Sequence, residues 1–211
     1  MEWPEAIAAL GGEPSAAGWA RLEARYGEPH RRYHTLDHAA AVARDSAWLA
    51  DVLDLGETSR ALVAVAAWTH DVVYDAKPGE DERASAAWAR EALKQAKTGE
   101  AHIERVTDLI LATTKHDAPP EDALATALLD ADLAILGAPP ELYATYARGV
   151  REEYAKYPDD IWREGRVAVL EGLLSRTLYR SEAARTRWAS TATANLSAEL
   201  THWLRARSDH R

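Results

Sequence analysis

The sequence predicts an all-α protein, on three observations. Apolar residues recur at the 3.6-residue period along nearly the whole chain, and no stretch alternates convincingly as a strand. Gly, Pro, Asp and Ser breaks fall between the periodic segments at helical lengths. The 211 residues, 47% of them apolar, are enough for a sizeable helical core and argue against disorder. No repeat, low-complexity run or linker interrupts them, so the expectation is one compact helical bundle spanning residues 1–211 as a single domain.

In order, the pattern predicts helices over 14–27, 36–54, 58–74, 81–97, 100–115, 121–136, 139–156, 161–178 and 181–206. The breaks carry turn chemistry: Gly27 to Pro29, Lys77-Pro78-Gly79, Gly99, Asp117 to Pro120, Gly137 to Pro140, Tyr157-Pro158 and Ser181. Thr35 is a plausible N-cap for the second helix, where His38, Val42, Leu49 and Val52 form one stripe. The third helix is apolar all round from Ala61 to Trp68, which marks a central element. The last helix carries Trp188, Leu196, Leu200 and Trp203 for packing on its own core or on a partner, and the oligomeric state is left open.

Composition removes several function classes. There is no cysteine, which excludes disulfides, thiolate zinc sites and cysteine nucleophiles. A net charge of −9 argues against a general binder of nucleic-acid polymers. The most apolar run, Ala61 to Ala67, is too short to span a bilayer, and no secretory signal is visible, so the expected location is the cytoplasm with no membrane partner.

The informative residues are polar ones where an apolar one is expected. His38 lies in the first turn of the inward face of its helix, and His70-Asp71 end the apolar helix among apolar neighbours. A buried carboxylate without compensation is costly, and a bound cation is one answer. Farther on, Asp130 and Asp132 are two residues apart, so at about 100° per residue they point to nearly opposite faces. Leu128, Leu129, Leu133, Ile135 and Leu136 cluster on the Asp132 side, whereas Asp130 falls among alanines. The wheel thus selects Asp132 as the buried ligand. Two imidazoles and two carboxylates, His38, His70, Asp71 and Asp132, form a mixed N/O set that suits Mn, Fe, Co, Ni or Zn better than calcium.

The ordered set His38, His70-Asp71 and Asp132 resembles the H…HD…D signature of the HD-domain superfamily, and Tyr33 to Ala39 resembles the opening motif of cyclic-nucleotide phosphodiesterases. A closer resemblance is to a bacterial group of predicted metal-dependent HD-superfamily phosphohydrolases. It rests on Tyr33-His34…Asp37-His38, Ala67 to Asp75, Asp81 to Ala86, Leu111 to Thr113 with His116, Leu129 to Gly137, Tyr146 with Arg151 to Tyr154, and Gly165-Arg166 with Leu170. The resemblance runs from about residue 25 to 200. It implies a helical fold of the HD type and hydrolysis of a small phosphate ester, a nucleotide or another phosphomonoester. It also implies one or two divalent ions per chain from the set Mn, Fe, Co, Ni, Zn or Mg.

Roles follow from that expectation. His34, one turn before His38, is the proposed acid for the leaving group, with Asp71 also serving the chemistry at the ion. His116 is a candidate for a second ion or for phosphate, and Glu82, with Asp75 beside it, for orienting a water or a ligand histidine. Arg32 and Arg151 are the candidate phosphate forks, with Arg166 a further candidate. Tyr33, Trp68 and Tyr74 flank the ligands and offer faces to a base. Three alternatives stay open: a phosphodiesterase on the same site, a helical sensor that binds metal or nucleotide without turnover, and a di-iron oxygenase that would need more histidines.

Overall fold

A computed structural model describes residues 1–208, with side chains through residue 205. Among them every regular element is a helix. The chain divides into two compact units, the first ending at Asp132 and the second starting at Leu133.

The first unit holds α1 (Trp3–Ala9), α2 (Ala16–Tyr26), α3 (Leu36–Val52), α4 (Glu57–Thr69), α5 (Glu80–Gln95), α6 (Glu100–Thr113) and α7 (Ala123–Asp132). The apolar segment occupies the centre: every α4 residue from Ala61 to Thr69 is buried, and α4 packs against α1, α3, α6 and α7. An element surrounded on all sides needs apolar side chains all round, which is what this segment carries. α3 packs on α4 and α7, and α5 covers α6.

Three expectations are corrected. The first is α1, which the sequence reading leaves out. Pro4 stands in its first turn and the Glu5 carboxylate accepts the Glu2 N–H at 3.1 Å, so the start signal is a proline plus a capping acid. Second, the helix expected over 58–74 stops at Thr69. Beyond it, the Asp71 and Val72 carbonyls accept from Arg31, that of Val73 from Ser85, and that of Tyr74 pairs with the His30 ring. Those partners replace helical ones. Third, α7 changes to a 3-10 turn at Leu133. The other boundaries fall within a few residues, the largest difference being the helix expected over 161–178, which ends at Leu174.

The second unit holds the 3-10 turn Leu133–Gly137, α8 (Pro140–Glu153), α9 (Asp159–Leu174) and α10 (Glu182–Ser208). α10 packs on the turn and on α9. Asn195 fastens the turn by donating to the Leu136 and Ala138 carbonyls, both at 2.9 Å. A buried ion pair joins α9 to α10: Arg166 Nε and Nη2 donate to the two Glu199 oxygens at 2.7 and 2.9 Å. Tyr143 Oη and Trp203 Nε1 also donate to that carboxylate, at 2.6 and 3.0 Å. With its charge and lone pairs matched in this way, the carboxylate is tolerated out of water. Arg166 is thereby committed to holding the unit together.

Gly137 lies against α10. A Cβ there would stand 2.5 Å from Trp188 Cβ and 2.8 Å from its carbonyl oxygen. Gly137→Ala is expected to destabilise the second unit by about 2 kcal/mol, the usual scale of overpacking. Urea denaturation of the two proteins measures it, and an unchanged midpoint would show that the backbone gives way freely.

Candidate metal centre

Each ligand stands at a helix end. His38 is in the first turn of α3, His70 caps the C-terminus of α4 with Asp71 just beyond it, and Asp132 is the last residue of α7. Because α3, α4 and α7 pack on one another, the four side chains meet. One atom from each of His38, His70, Asp71 and Asp132 lies within 4.8 Å of the other three.

The edges of this cluster are short. His38 Nε2 is 3.1 Å from His70 Nε2, 3.3 Å from Asp71 Oδ2 and 3.4 Å from Asp132 Oδ1. His70 Nε2 is 3.1 Å from Asp71 Oδ2 and 3.3 Å from Asp132 Oδ1. Donors about 2.1 Å from one ion and 90–110° apart are separated by roughly these distances. The second ring nitrogen of His70 faces the Ala67 carbonyl at 2.8 Å. A carbonyl only accepts, so Nδ1 carries the proton and Nε2 turns its lone pair inward. Two neutral imidazoles and two carboxylates carry a charge of −2, which a divalent ion cancels. The donor set therefore fits such an ion, while its identity is not fixed by the four donors alone.

Without an ion, protons take over the compensation. Burial opposes charge on His70, but the Asp71 and Asp132 carboxylates outweigh it and hold its pKa well above the usual imidazole value. The same contest leaves His38 raised through its bonds to Asp132 and Asp71. For Asp71 and Asp132 burial pushes upward, and the His70 charge with the neighbouring imidazoles more than reverses it, so both fall well below the carboxylate range.

The surroundings of the cluster sort the remaining candidates. His34 Nε2 lies 3.9 Å from Asp71 Oδ2, and its ring stacks on Tyr74 at 4.0 Å and 21°. Tyr33 leans on both His34 and His38. His116 Nε2 reaches the outer oxygen of Asp132 at 2.9 Å, from a residue in the left-handed region at φ 48°. That conformation is unfavourable for a side chain with a Cβ, and the bond to Asp132 helps offset its cost. Asp132 thus divides its oxygens, one to the cluster and one to His116.

Glu82 is not drawn into the cluster. Its carboxylate accepts the Gly79 N–H at 2.6 Å and caps α5. Arg32 donates to the Pro29 and Arg31 carbonyls, both at 2.7 Å. Arg151 belongs to the second unit, where it donates to Tyr154, Tyr157 and Asp159. Asp75 is exposed beside Lys77. Trp68 packs edge-on against Trp19 and donates to the Met1 carbonyl, as a core residue does.

Asp130 requires a correction. The wheel sets it on the less buried, alanine side, yet it is fully buried and more enclosed than Asp132, whose side chain keeps 14% of its exposure. The alanine face is interior too: all residues from Ala125 to Ala131 are buried.

Sequence reasoning missed Arg31, Asp81 and Ser85. Asp81 is buried and accepts the Asp75 and Lys77 N–H groups at 3.1 and 2.8 Å. Ser85 both accepts from and donates to the backbone of Val73. Together they order the loop after the His70-Asp71 pair. The signal for Asp81 was its place in the first turn after Lys77-Pro78-Gly79, where a carboxylate reads as a cap.

No family model matches the chain, and no curated protein or solved structure matches it. Among the described residues, no single helix is long and apolar enough to cross a membrane.

The raised histidines give ion binding a pH dependence of definite sign. Below their elevated values both imidazoles are protonated and the ion must displace protons, so affinity rises with pH until the pH passes those values, with proton release on binding. Titration calorimetry with Co²⁺ in buffers of different ionisation enthalpy reads both effects. In ion-free protein the charged histidines stabilise the fold below their unfolded value and lose that contribution as pH rises through the folded one. Asp71 and Asp132 contribute above about 3.8 and lose it as pH falls. The gain in thermal midpoint on adding Co²⁺ should therefore grow from about pH 6 to pH 8, and a flat difference would contradict these protonation states.

Proposed function

We propose that this chain is a divalent-metal-dependent phosphohydrolase of the HD superfamily, acting on a small phosphate ester. The observation that carries the reading is the convergence of His38, His70, Asp71 and Asp132 on one point, with His34 beside it. An ion held there would neutralise phosphate oxygens and make a bound water more acidic.

The chain's own groups account for the rest. His34 is oriented by its stack on Tyr74 and keeps its side chain partly open, at 18% exposure, so it can exchange protons with solvent and hand one to a leaving oxygen. It stands outside the four-donor set, as an acid should. His116 fixes the outer oxygen of Asp132 and so holds the inner one in place. For the phosphate itself, Arg83 is a further candidate beside Arg32 and Arg151. It is exposed at the start of α5, and its Nη1 would stand 3.6 Å from a Cβ on Gly79, the spot that Thr114 also borders. Thr114 is two residues from His116.

The aromatics bear on the substrate. Tyr74 already gives one face to His34 and lies 5.8 Å from the Arg31 guanidinium, and Trp68 is in the core. Neither is placed to stack on a base. Of the three flanking aromatics only the half-buried Tyr33, against His34 and His38, is left to meet a base, which favours recognition through the phosphate. A diesterase would use the same residues, and a binding-only sensor would need the ion without the acid.

The test is phosphate release from an aryl monoester, the matching diester and a set of nucleotides under Mn²⁺, Co²⁺, Zn²⁺ and Mg²⁺. His70→Ala and Asp71→Ala should abolish turnover, and His34→Ala should lower kcat by about 10²-fold or more with the ion retained. Arg83→Ala should raise KM with little change in kcat. A protein that binds about one ion per chain yet hydrolyses none of these compounds would replace the enzyme by the sensor.

A further inference from the structure

Arg31 is the most fully enclosed cation near the cluster, with no exposed side-chain surface. It precedes α3 in a loop, yet its bonds reach two separate stretches of chain. Nη1 donates to the His34 and Asp71 carbonyls, both at 2.8 Å, and Nη2 to the Val72 carbonyl at 2.9 Å. Nε donates to the Glu28 carboxylate at 3.3 Å, the one formal counter-charge among these partners. The Tyr26 and Tyr74 rings flank the guanidinium at 5.1 and 5.8 Å.

We propose that Arg31 is a positioning residue that sets the separation between His34 and Asp71. The inference rests in part on the phosphohydrolase reading, because it gives His34 its role. A guanidinium is planar, and the two N–H bonds of one terminal nitrogen point in fixed directions. Two carbonyls on the same nitrogen therefore hold a set distance from each other, and these two belong to the proposed acid and to an ion ligand. The His34 and Asp71 side chains are 3.9 Å apart, beyond hydrogen-bonding distance, so no direct bond between them sets that spacing. The third carbonyl, of Val72, locks the backbone on the far side of Asp71 and is shared with Arg25 Nε at 3.2 Å. Tyr74 completes the arrangement by touching Arg31 with its ring and His34 with its stack. Lysine keeps the charge but has neither the plane nor the fork, so Arg31→Lys separates positioning from electrostatics.

The experiment compares Arg31→Lys with Leu93→Ala, a cavity variant at a fully buried residue near the C-terminus of α5 that destabilises without touching the cluster. The readouts are Co²⁺ affinity, the visible absorption spectrum of the Co²⁺-loaded protein, and kcat and KM on an aryl phosphate. Arg31→Lys should bind Co²⁺ about 10-fold or more weakly, shift the spectrum and lose about 10-fold in kcat with KM nearly constant. Leu93→Ala should do none of these at a comparable loss of thermal midpoint. Wild-type affinity, spectrum and kcat in Arg31→Lys, or the same losses in Leu93→Ala, would overturn the proposal. If Arg31→Lys does not fold, Glu28→Gln serves instead, since it removes the counter-charge and leaves the carbonyl bonds in place. Wild-type Co²⁺ affinity and spectrum in Glu28→Gln support the role, and a several-fold loss of affinity with an altered spectrum overturns it, because the charge rather than the fork would then hold the site. Should the wild type show no turnover at all, only the phosphohydrolase reading falls, because the Co²⁺ measurements still decide the role of Arg31.

Discussion

Two carboxylates and two imidazoles share one small volume inside the first unit, and the structure around them answers the cost of that arrangement. Charge in such a place has to be balanced within a few ångströms. The balance is available because Asp71 and Asp132 face His38 and His70 in a ring of short contacts, with His116 closing the outer side of Asp132. The surrounding helices are correspondingly apolar. From Ala61 to Trp68 α4 needs no polar face, and His70 and Asp71 leave the helix at its end.

That end shows how a helix is stopped by tertiary contacts rather than by its own residues. Val72, Val73 and Tyr74 could continue the periodic pattern, but their backbone groups are taken by side chains from the α2–α3 connection and from α5. Where the helix stops, the Asp71 carboxylate lies 3.3 Å from His38 Nε2. The loop that follows, up to Gly79, is then secured by Asp81 and Glu82 at the start of α5. Ligand placement and helix termination are in this sense one event.

These facts explain what the sequence disclosed and what it hid. The clustering of the four candidate ligands was legible because each is a polar residue interrupting an apolar stripe, which periodicity detects. Most of α2 to α10 was legible for the same reason. α1 is hard to read although Pro4 and Glu5 signal it, because seven residues give periodicity little to work on. Arg31 was invisible because its partners are mainly backbone carbonyls, which have no letter in the sequence, and its neighbour Arg32 was equally plausible by type. Glu82 misleads because a capping acid and a site acid look alike in one dimension. The Asp130 error has a different origin: a wheel ranks the faces of a helix against each other, and α7 has no outward face in this stretch.

The ligands' positions at helix ends also bear on how such a chain can change over generations. Three short stretches, around His38, His70-Asp71 and Asp132, carry the centre, and the helices that bear them pack on each other directly. Much of the remaining surface answers only to packing. Descendants of this sequence can drift widely there while the spacing of four residues stays put, so kinship among them would be written in a few widely separated letters rather than in overall likeness.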